Sequence, residues 1–309
     1  MIEQGLKMLA SALRRKFLAF PRKVQIETTT VCNADCIMCP HSSITRVKGH
    51  MQYPLFRKII DECAEHAGQV AEVYPFLNGE LFLTPQWENY LAYAREKLPA
   101  ARIIVFTNGS LLNEANAGKL LEIAPDALNV SFDGTSKEAY ESIRRNLKFE
   151  EVEENIRAFM ARRGAGLSGK PRVSVSVIEM DKTAADIPAF AEKWRKVVDK
   201  VSVEPYNTWT GEIADRGVKG RRARSRVPCP RLWQNLTVLN SGKVALCCLD
   251  YDGQVELGDL KSASIEEVWT GERLREMRRM HEAGDYDGSG ICRDCDYGKY
   301  QSETPFWWR

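Results

Sequence analysis

The chain has 309 residues, 44% of them apolar and 28% charged, with a net charge of +2. That length fits one large domain or two smaller ones, and the near-neutral charge gives no electrostatic reason to expect a nucleic-acid partner. No run of about 18 apolar residues marks a spanning helix and no secretory layout marks the N-terminus, so a cytoplasmic location without membrane association is expected. In that setting nine cysteines point to metal or redox chemistry rather than a disulfide framework.

Residues 1–23 read as a basic amphipathic helix, with Leu6, Leu9, Leu13 and Phe17 on one side, packed on the body of the domain, with a place on a membrane surface as the alternative. Strand and helix signals then alternate. "KVQIETTT" is β-branched and strand-like, and Pro54 opens a helical stretch to Ala67. "VAEVYPFL", "ARIIVFT", "ALNVSF", "RVSVSVIEM" and "KVSVEP" read as five further strands, separated by helical runs. Such alternation implies an α/β fold with a parallel sheet and right-handed crossovers, rolled into a partial (β/α)6 barrel, with the site at the C-terminal ends of the strands. The Gly/Arg-rich "GEIADRGVKGRRARSR" reads as a linker, with gripping of a phosphorylated or nucleotide-linked sugar as the alternative. "NLTVLNSGKVALCC" is a hairpin signal, followed by a helix near Ile265 to Ala283, "CRDC" and an aromatic tail. The expected domains are 1–23, 24–213 and 214–309.

"CNADCIMC" stands directly after the first strand and holds Cys32, Cys36 and Cys39. Three thiols so close in one loop point to a shared metal centre. The spacing matches neither ferredoxins nor zinc ribbons. Three thiolates hold only three irons of a four-iron cluster, which leaves the fourth open to a substrate or cofactor.

This CxxxCxxC loop resembles the signature of the radical S-adenosylmethionine (radical SAM) enzymes. "FLNGEL" resembles the family's Gly-Gly-Glu-like motif, with Asn78 in place of the first glycine before Gly79 and Glu80. "FTNG", with Thr107 and Asn108, ends the third strand. "VSFDG", with Ser131 and Asp133, resembles the family's Ser-x-Asp-Gly stretch, and Arg144 lies on the following helix. The resemblance makes these residues, together with Met38 packing on adenine, the expected cofactor contacts. It implies a [4Fe-4S] cluster that reductively cleaves S-adenosylmethionine to a 5′-deoxyadenosyl radical, and a reductant such as flavodoxin or ferredoxin.

Cys229, Cys247, Cys292 and Cys295 form a second set. A cysteine, about a dozen residues, glycine, four residues, cysteine and a later CxxC resemble the SPASM/twitch extensions of radical SAM enzymes. No cysteine follows Cys295, so the twitch form with one auxiliary [4Fe-4S] cluster is implied; the rival is a structural zinc. Cys63, inside the first helical run, reads as a core thiol.

Twitch-bearing relatives dehydrogenate aminocyclitols and related sugars or epimerise sugar carbons. The resemblance therefore implies hydrogen abstraction from a small polyhydroxylated substrate. The alternatives are a peptide-modifying enzyme and, in another class, an iron–sulfur electron carrier or zinc-stabilised module. With about 23 residues before the first strand, no peptide-recognition domain is expected there. "EPYNTW" follows the sixth strand and faces the cavity in this reading. Glu204, Tyr206 or Asn207 would bind hydroxyls or accept a proton, with loop packing as the alternative. Asp250 and Tyr251 are read as either cavity groups or a polar turn. Cys248 is read as turned away from Cys247 by strand alternation, either as a packing thiol or as a hydrogen-atom donor. Cys248, Glu204 and Tyr206 are the candidate catalytic residues.

Overall fold

The computed structural model describes residues 19–164, 169–218, 226–288 and 290–299. The helix expected over residues 1–23 falls almost wholly outside them, as do residues 219–225 of the basic segment and the aromatic tail.

The strands are β1 (Lys23–Ile26), β2 (Asp35–Cys36), β3 (Glu72–Tyr74), β4 (Arg102–Thr107), β5 (Ala127–Ser131), β6 (Arg144–Arg145), β7 (Arg172–Glu179), β8 (Lys200–Pro205), β9 (Asn235–Val238), β10 (Lys243–Ala245) and β11 (Glu256–Asp259). The helices are α1 (Tyr53–Glu65), α2 (Trp87–Lys97), α3 (Glu114–Ile123), α4 (Lys137–Ile143), α5 (Phe149–Arg163), α6 (Ile187–Arg195), α7 (Ile265–Trp269), α8 (Glu272–Ala283) and α9 (Asp296–Lys299).

All six expected barrel strands form. β1, β3, β4, β5, β7 and β8 lie side by side and parallel, as the strand–helix alternation implies. A parallel sheet is covered on both faces, which explains the unbroken apolar run Ile103, Ile104 and Val105, all buried. On α1, Phe56, Ile59, Ile60 and Cys63 are buried at helical spacing, so Cys63 is a core thiol.

The sheet does not stop at the expected boundary near residue 213. β9 pairs parallel with β1, Lys23 opposite Asn235, and β10 and β11 add antiparallel strands, giving one nine-stranded sheet. Gly242 turns the β9–β10 hairpin at φ +96°, a conformation that favours glycine. The long helix expected over Ile265 to Ala283 is broken at Thr270–Gly271: α7 opens on a capping box of Ser264 and Glu267 and ends at Thr270, and Gly271 is the N-cap of α8.

Two features carried no periodic signal. β2 and β6 are two-residue strands paired antiparallel, Cys36 opposite Arg144, and Ile37 N–H donates to Ile143 O at 3.0 Å. This ladder stitches the first cysteine loop to the end of α4. The loop's far side docks on the C-terminal region, where Thr45 and Arg46 backbone N–H groups donate to Asp252 at 2.8 and 3.1 Å.

Candidate active site

Cys32, Cys36 and Cys39 are half-buried, free of disulfides and line one cavity of about 360 Å³ at the C-terminal ends of the barrel strands. Burial pushes the Cys32 thiol up to about 11 and the Cys39 thiol up to about 12, so a cationic centre is needed to hold them as thiolates. At Cys36 burial also raises the thiol, and the Arg144 guanidinium opposes it, with Nη1 3.7 Å from Sγ.

Behind Arg144 stands Asp133, fully buried, which accepts from Arg144 Nε at 2.8 Å and from the Ile178 N–H at 2.5 Å. Asp133 is not among the cavity-lining residues, unlike Ser131 and Arg144. Asp133, expected as a cofactor contact, anchors the Arg144 guanidinium here.

Asn78, Gly79 and Glu80 line the cavity at the end of β3. Asn78 Nδ2 donates to the fully buried Glu27 at 3.2 Å, while its Oδ1 is buried without a protein partner. An unanswered buried acceptor is costly, and it fits a donor such as the ammonium of a bound amino acid moiety. Gly79 is demanded by close approach: a Cβ there would sit 2.3 Å from Thr29 O. Glu80 accepts from the Thr107 hydroxyl at 2.7 Å and the Asn108 N–H at 2.8 Å; burial raises its carboxyl against these donors. Asn108 Nδ2 in turn donates to Asn33 inside the cysteine loop at 2.9 Å. Met38 is buried at the cavity wall.

Glu204, Tyr206, Asn207 and Trp209 also line the cavity. Glu204 Oε1 has no partner, and burial pushes its carboxyl up to about 9, so it is neutral at pH 7. The Tyr206 hydroxyl donates to Ala214 O at 2.6 Å, which leaves its oxygen as an acceptor.

The paired cysteines are not on a strand. β10 ends at Ala245, and Leu246–Leu249 form a bend and turn. Asp250 builds that turn, accepting from the N–H groups of Leu246, Gln254 and Val255 at 3.2, 2.7 and 3.1 Å. The two side chains nevertheless part: Cys248 lines the large cavity and Cys247 a second one of about 30 Å³. Cys229, Cys292 and Cys295 line the same small space. Arg231, Leu249 and Tyr297 line both cavities and so form the wall between them. Arg231 donates to Cys248 Sγ at 3.0 Å and lies 4.1 Å from the Tyr297 ring centre.

Three residues here escaped the sequence reading. His281 lines the small cavity; its Nδ1 accepts from the Cys229 N–H at 3.2 Å, which makes Nε2 the protonated nitrogen, and Nε2 has no protein partner. Burial lowers this imidazole to about 4, so it is neutral. Arg226, read as linker, donates to the carbonyls of Cys292, Arg293 and Cys295. Arg46 meets buried Glu27 at 2.6 Å. Only the capping of cysteine-loop carbonyls by an Arg just upstream of Cys229 had a sequence trace, in the density of basic residues.

Residues 26–168 match the radical SAM superfamily and residues 229–296 the iron–sulfur cluster-binding SPASM domain. The chain belongs to the radical SAM enzymes with a C-terminal SPASM domain, whose cofactors are S-adenosylmethionine and iron–sulfur clusters. It is 23% identical over 286 residues to the S-adenosyl-L-methionine-dependent 2-deoxy-scyllo-inosamine dehydrogenase of Niallia circulans, covering 92% of this chain and 96% of that one. Its fold resembles BtrN in complex with AdoMet and 2-DOIA (TM-score 0.61, 18% identity, covering 92% and 96% of the two chains). It also resembles Streptococcus suis SuiB bound to precursor peptide SuiA (TM-score 0.65, 13% identity, covering 89% and 71%). No helix among the described residues is long and apolar enough to cross a membrane.

Proposed function

We propose that this radical SAM oxidoreductase dehydrogenates a small aminocyclitol or amino sugar. The carrying observation is the shared wall: the cavity of Cys32, Cys36 and Cys39 adjoins that of Cys229, Cys247, Cys292 and Cys295 across Arg231, Leu249 and Tyr297. Hydrogen abstraction and removal of the second electron of an alcohol oxidation would then take place on the two sides of this wall. When bound, the clusters and S-adenosylmethionine supply hydrogen-atom abstraction and an electron outlet.

The chain's own groups take the remaining roles. Cys32, Cys36 and Cys39 would hold the first cluster, and Cys229, Cys247, Cys292 and Cys295 one auxiliary cluster. Asn78 Oδ1 would accept from the cofactor's ammonium, with Glu80 and Thr107 shaping that end and Met38 available to pack on its adenine. Ser131 and Arg144 would serve its carboxylate and ribose, with Asp133 orienting Arg144. His281 Nε2 would donate toward the auxiliary cluster. Glu204 meets the substrate: a cationic amine beside its buried carboxyl favours the ionised form, which then accepts the hydroxyl proton. Low-potential flavodoxin or ferredoxin is the reductant in this reading.

Reduced, anaerobically reconstituted protein given S-adenosylmethionine and 2-deoxy-scyllo-inosamine or related aminocyclitols should release 5′-deoxyadenosine and a product two mass units lighter. Cofactor cleavage without any oxidised product over that panel would refute dehydrogenation.

A second reading rests on Cys248, whose sulfur lies on the large cavity beside Arg231. There the thiol returns a hydrogen atom and the reaction is epimerisation. Solvent deuterium at the product carbon, lost in Cys248→Ala, supports it; an oxidised product made equally well by that variant excludes it.

A further inference from the structure

The chain after β8 makes a turn, 207–211, whose backbone is unusual. Trp209 and Thr210 sit at φ 50° and 64°, left-handed values that a bulky and a β-branched residue rarely adopt, and Gly211 follows at φ 89°. Successive residues of this kind persist only where their surroundings hold them. Two anchors do so here. Asp296, the residue after Cys295, accepts from the Thr208 N–H at 2.7 Å and the Thr208 hydroxyl at 2.6 Å. The same hydroxyl oxygen accepts from the Gly211 N–H at 3.1 Å. On the other side, Trp209 Nε1 donates to the carbonyl of Met38, the residue before Cys39, at 2.9 Å. The turn is thus a strut between the two cysteine motifs. Gly211 packs so close to the CxxC loop that a Cβ there would lie 3.3 Å from Asp294 Cβ.

Trp209, Asn207 and Asp296 all line the large cavity. The only polar atom of the indole is committed to Met38, so Trp209 offers a ligand hydrocarbon surface alone. That surface suits the C–H face of a saturated ring whose hydroxyls and amine point elsewhere.

We propose that Trp209 is a specificity-determining wall of the substrate side, and that Asp296 is the positioning residue that holds it by fixing Thr208. This rests on the small-ring substrate reading above. It adds that the wall exists only while the CxxC loop is in place.

The test uses the reconstituted holoenzyme. Asp296→Ala should keep its iron content and S-adenosylmethionine binding but speed amide hydrogen exchange in the peptide spanning 205–213. With 2-deoxy-scyllo-inosamine its KM should rise about tenfold with kcat little changed, because ring positioning rather than chemistry is lost. Asp296→Asn, which keeps an acceptor oxygen, should restore most of both readouts. Trp209→Ala should raise KM similarly, and Trp209→Phe should recover most of it. If Asp296→Ala loses iron, Thr208→Val removes the hydroxyl donor without touching the CxxC loop and should loosen the same peptide. Unchanged exchange in 205–213 in both variants overturns the proposal. So does an unchanged KM in Trp209→Ala. If the wild type turns over no aminocyclitol, the substrate reading fails, while the exchange comparison, made without substrate, still decides whether Asp296 holds the turn.

Discussion

Replacing Glu204 by Gln should make the protein more stable at neutral pH, and the gain should grow with pH. The Glu204 carboxyl is held protonated by burial, its pKa raised from 4.5 to about 9, with one oxygen unpartnered. In the unfolded chain the group ionises from about 4.5 upward, while in the folded chain it stays neutral until about 9. The folded state binds the extra proton, so stability is fully present below 4.5 and falls by about 1.4 kcal/mol per pH unit across that window. At pH 7 this amounts to at most about 3.5 kcal/mol, and at pH 5 to less than about 1 kcal/mol. Gln carries a similar shape and no such titration. At roughly 2 °C per kcal/mol for a chain of this size, Glu204→Gln should melt about 7 °C higher at pH 7 and nearly together with wild type at pH 5. Anaerobic differential scanning fluorimetry of both proteins from pH 5 to 8 measures it. Parallel curves over that range would mean that the carboxyl ionises normally in the fold, and the argument that a substrate amine switches it into a base would collapse.

Arg46→Ala should cost about 3 kcal/mol in urea unfolding, because it leaves the carboxylate of fully buried Glu27 without its cation. Adding Glu27→Gln should restore part of that loss; no recovery would mean the pair is not the cause. Asn78→Leu removes the unpartnered acceptor and should weaken S-adenosylmethionine binding about tenfold or more by calorimetry, with iron content unchanged. The double variant Cys292→Ala/Cys295→Ala should fall from about eight irons per chain to about four, whereas Cys248→Ala should keep them all. Zinc in the wild type at one per chain would replace the auxiliary cluster. His281→Phe should retain iron but move the auxiliary cluster to a more negative potential, since a donor toward its sulfurs is lost.

Much of this architecture was written locally. Pattern periodicity is a property of neighbours, so the six barrel strands, the hairpin and the core position of Cys63 followed from spacing alone. The cysteine motifs were equally local, since ligand spacing within a loop is chemistry that a sequence carries openly. Local pattern did not show which partners the polar side chains take. Asp133 reads as a cofactor contact, and in the fold its carboxylate anchors the Arg144 guanidinium 11 positions on. Tyr206 reads as a catalytic hydroxyl, and in the fold it donates to a carbonyl eight positions on. The paired strands β2 and β6 are too short to show a period.

The adjacent cysteines mark the division. Their spacing from Gly242 and the later CxxC assigned Cys247 to the second set, and that required only the sequence. The faces of the pair did not come from strand alternation, because the strand ends two residues earlier; they were decided by the turn that Asp250 gathers. Only the tertiary structure put Arg231 between the two cavities and hung the Trp209 turn from both cysteine loops. Motif spacing is fixed by covalent geometry. Which cavity a side chain meets depends on the packing of segments from opposite ends of the chain, and no local pattern encodes that.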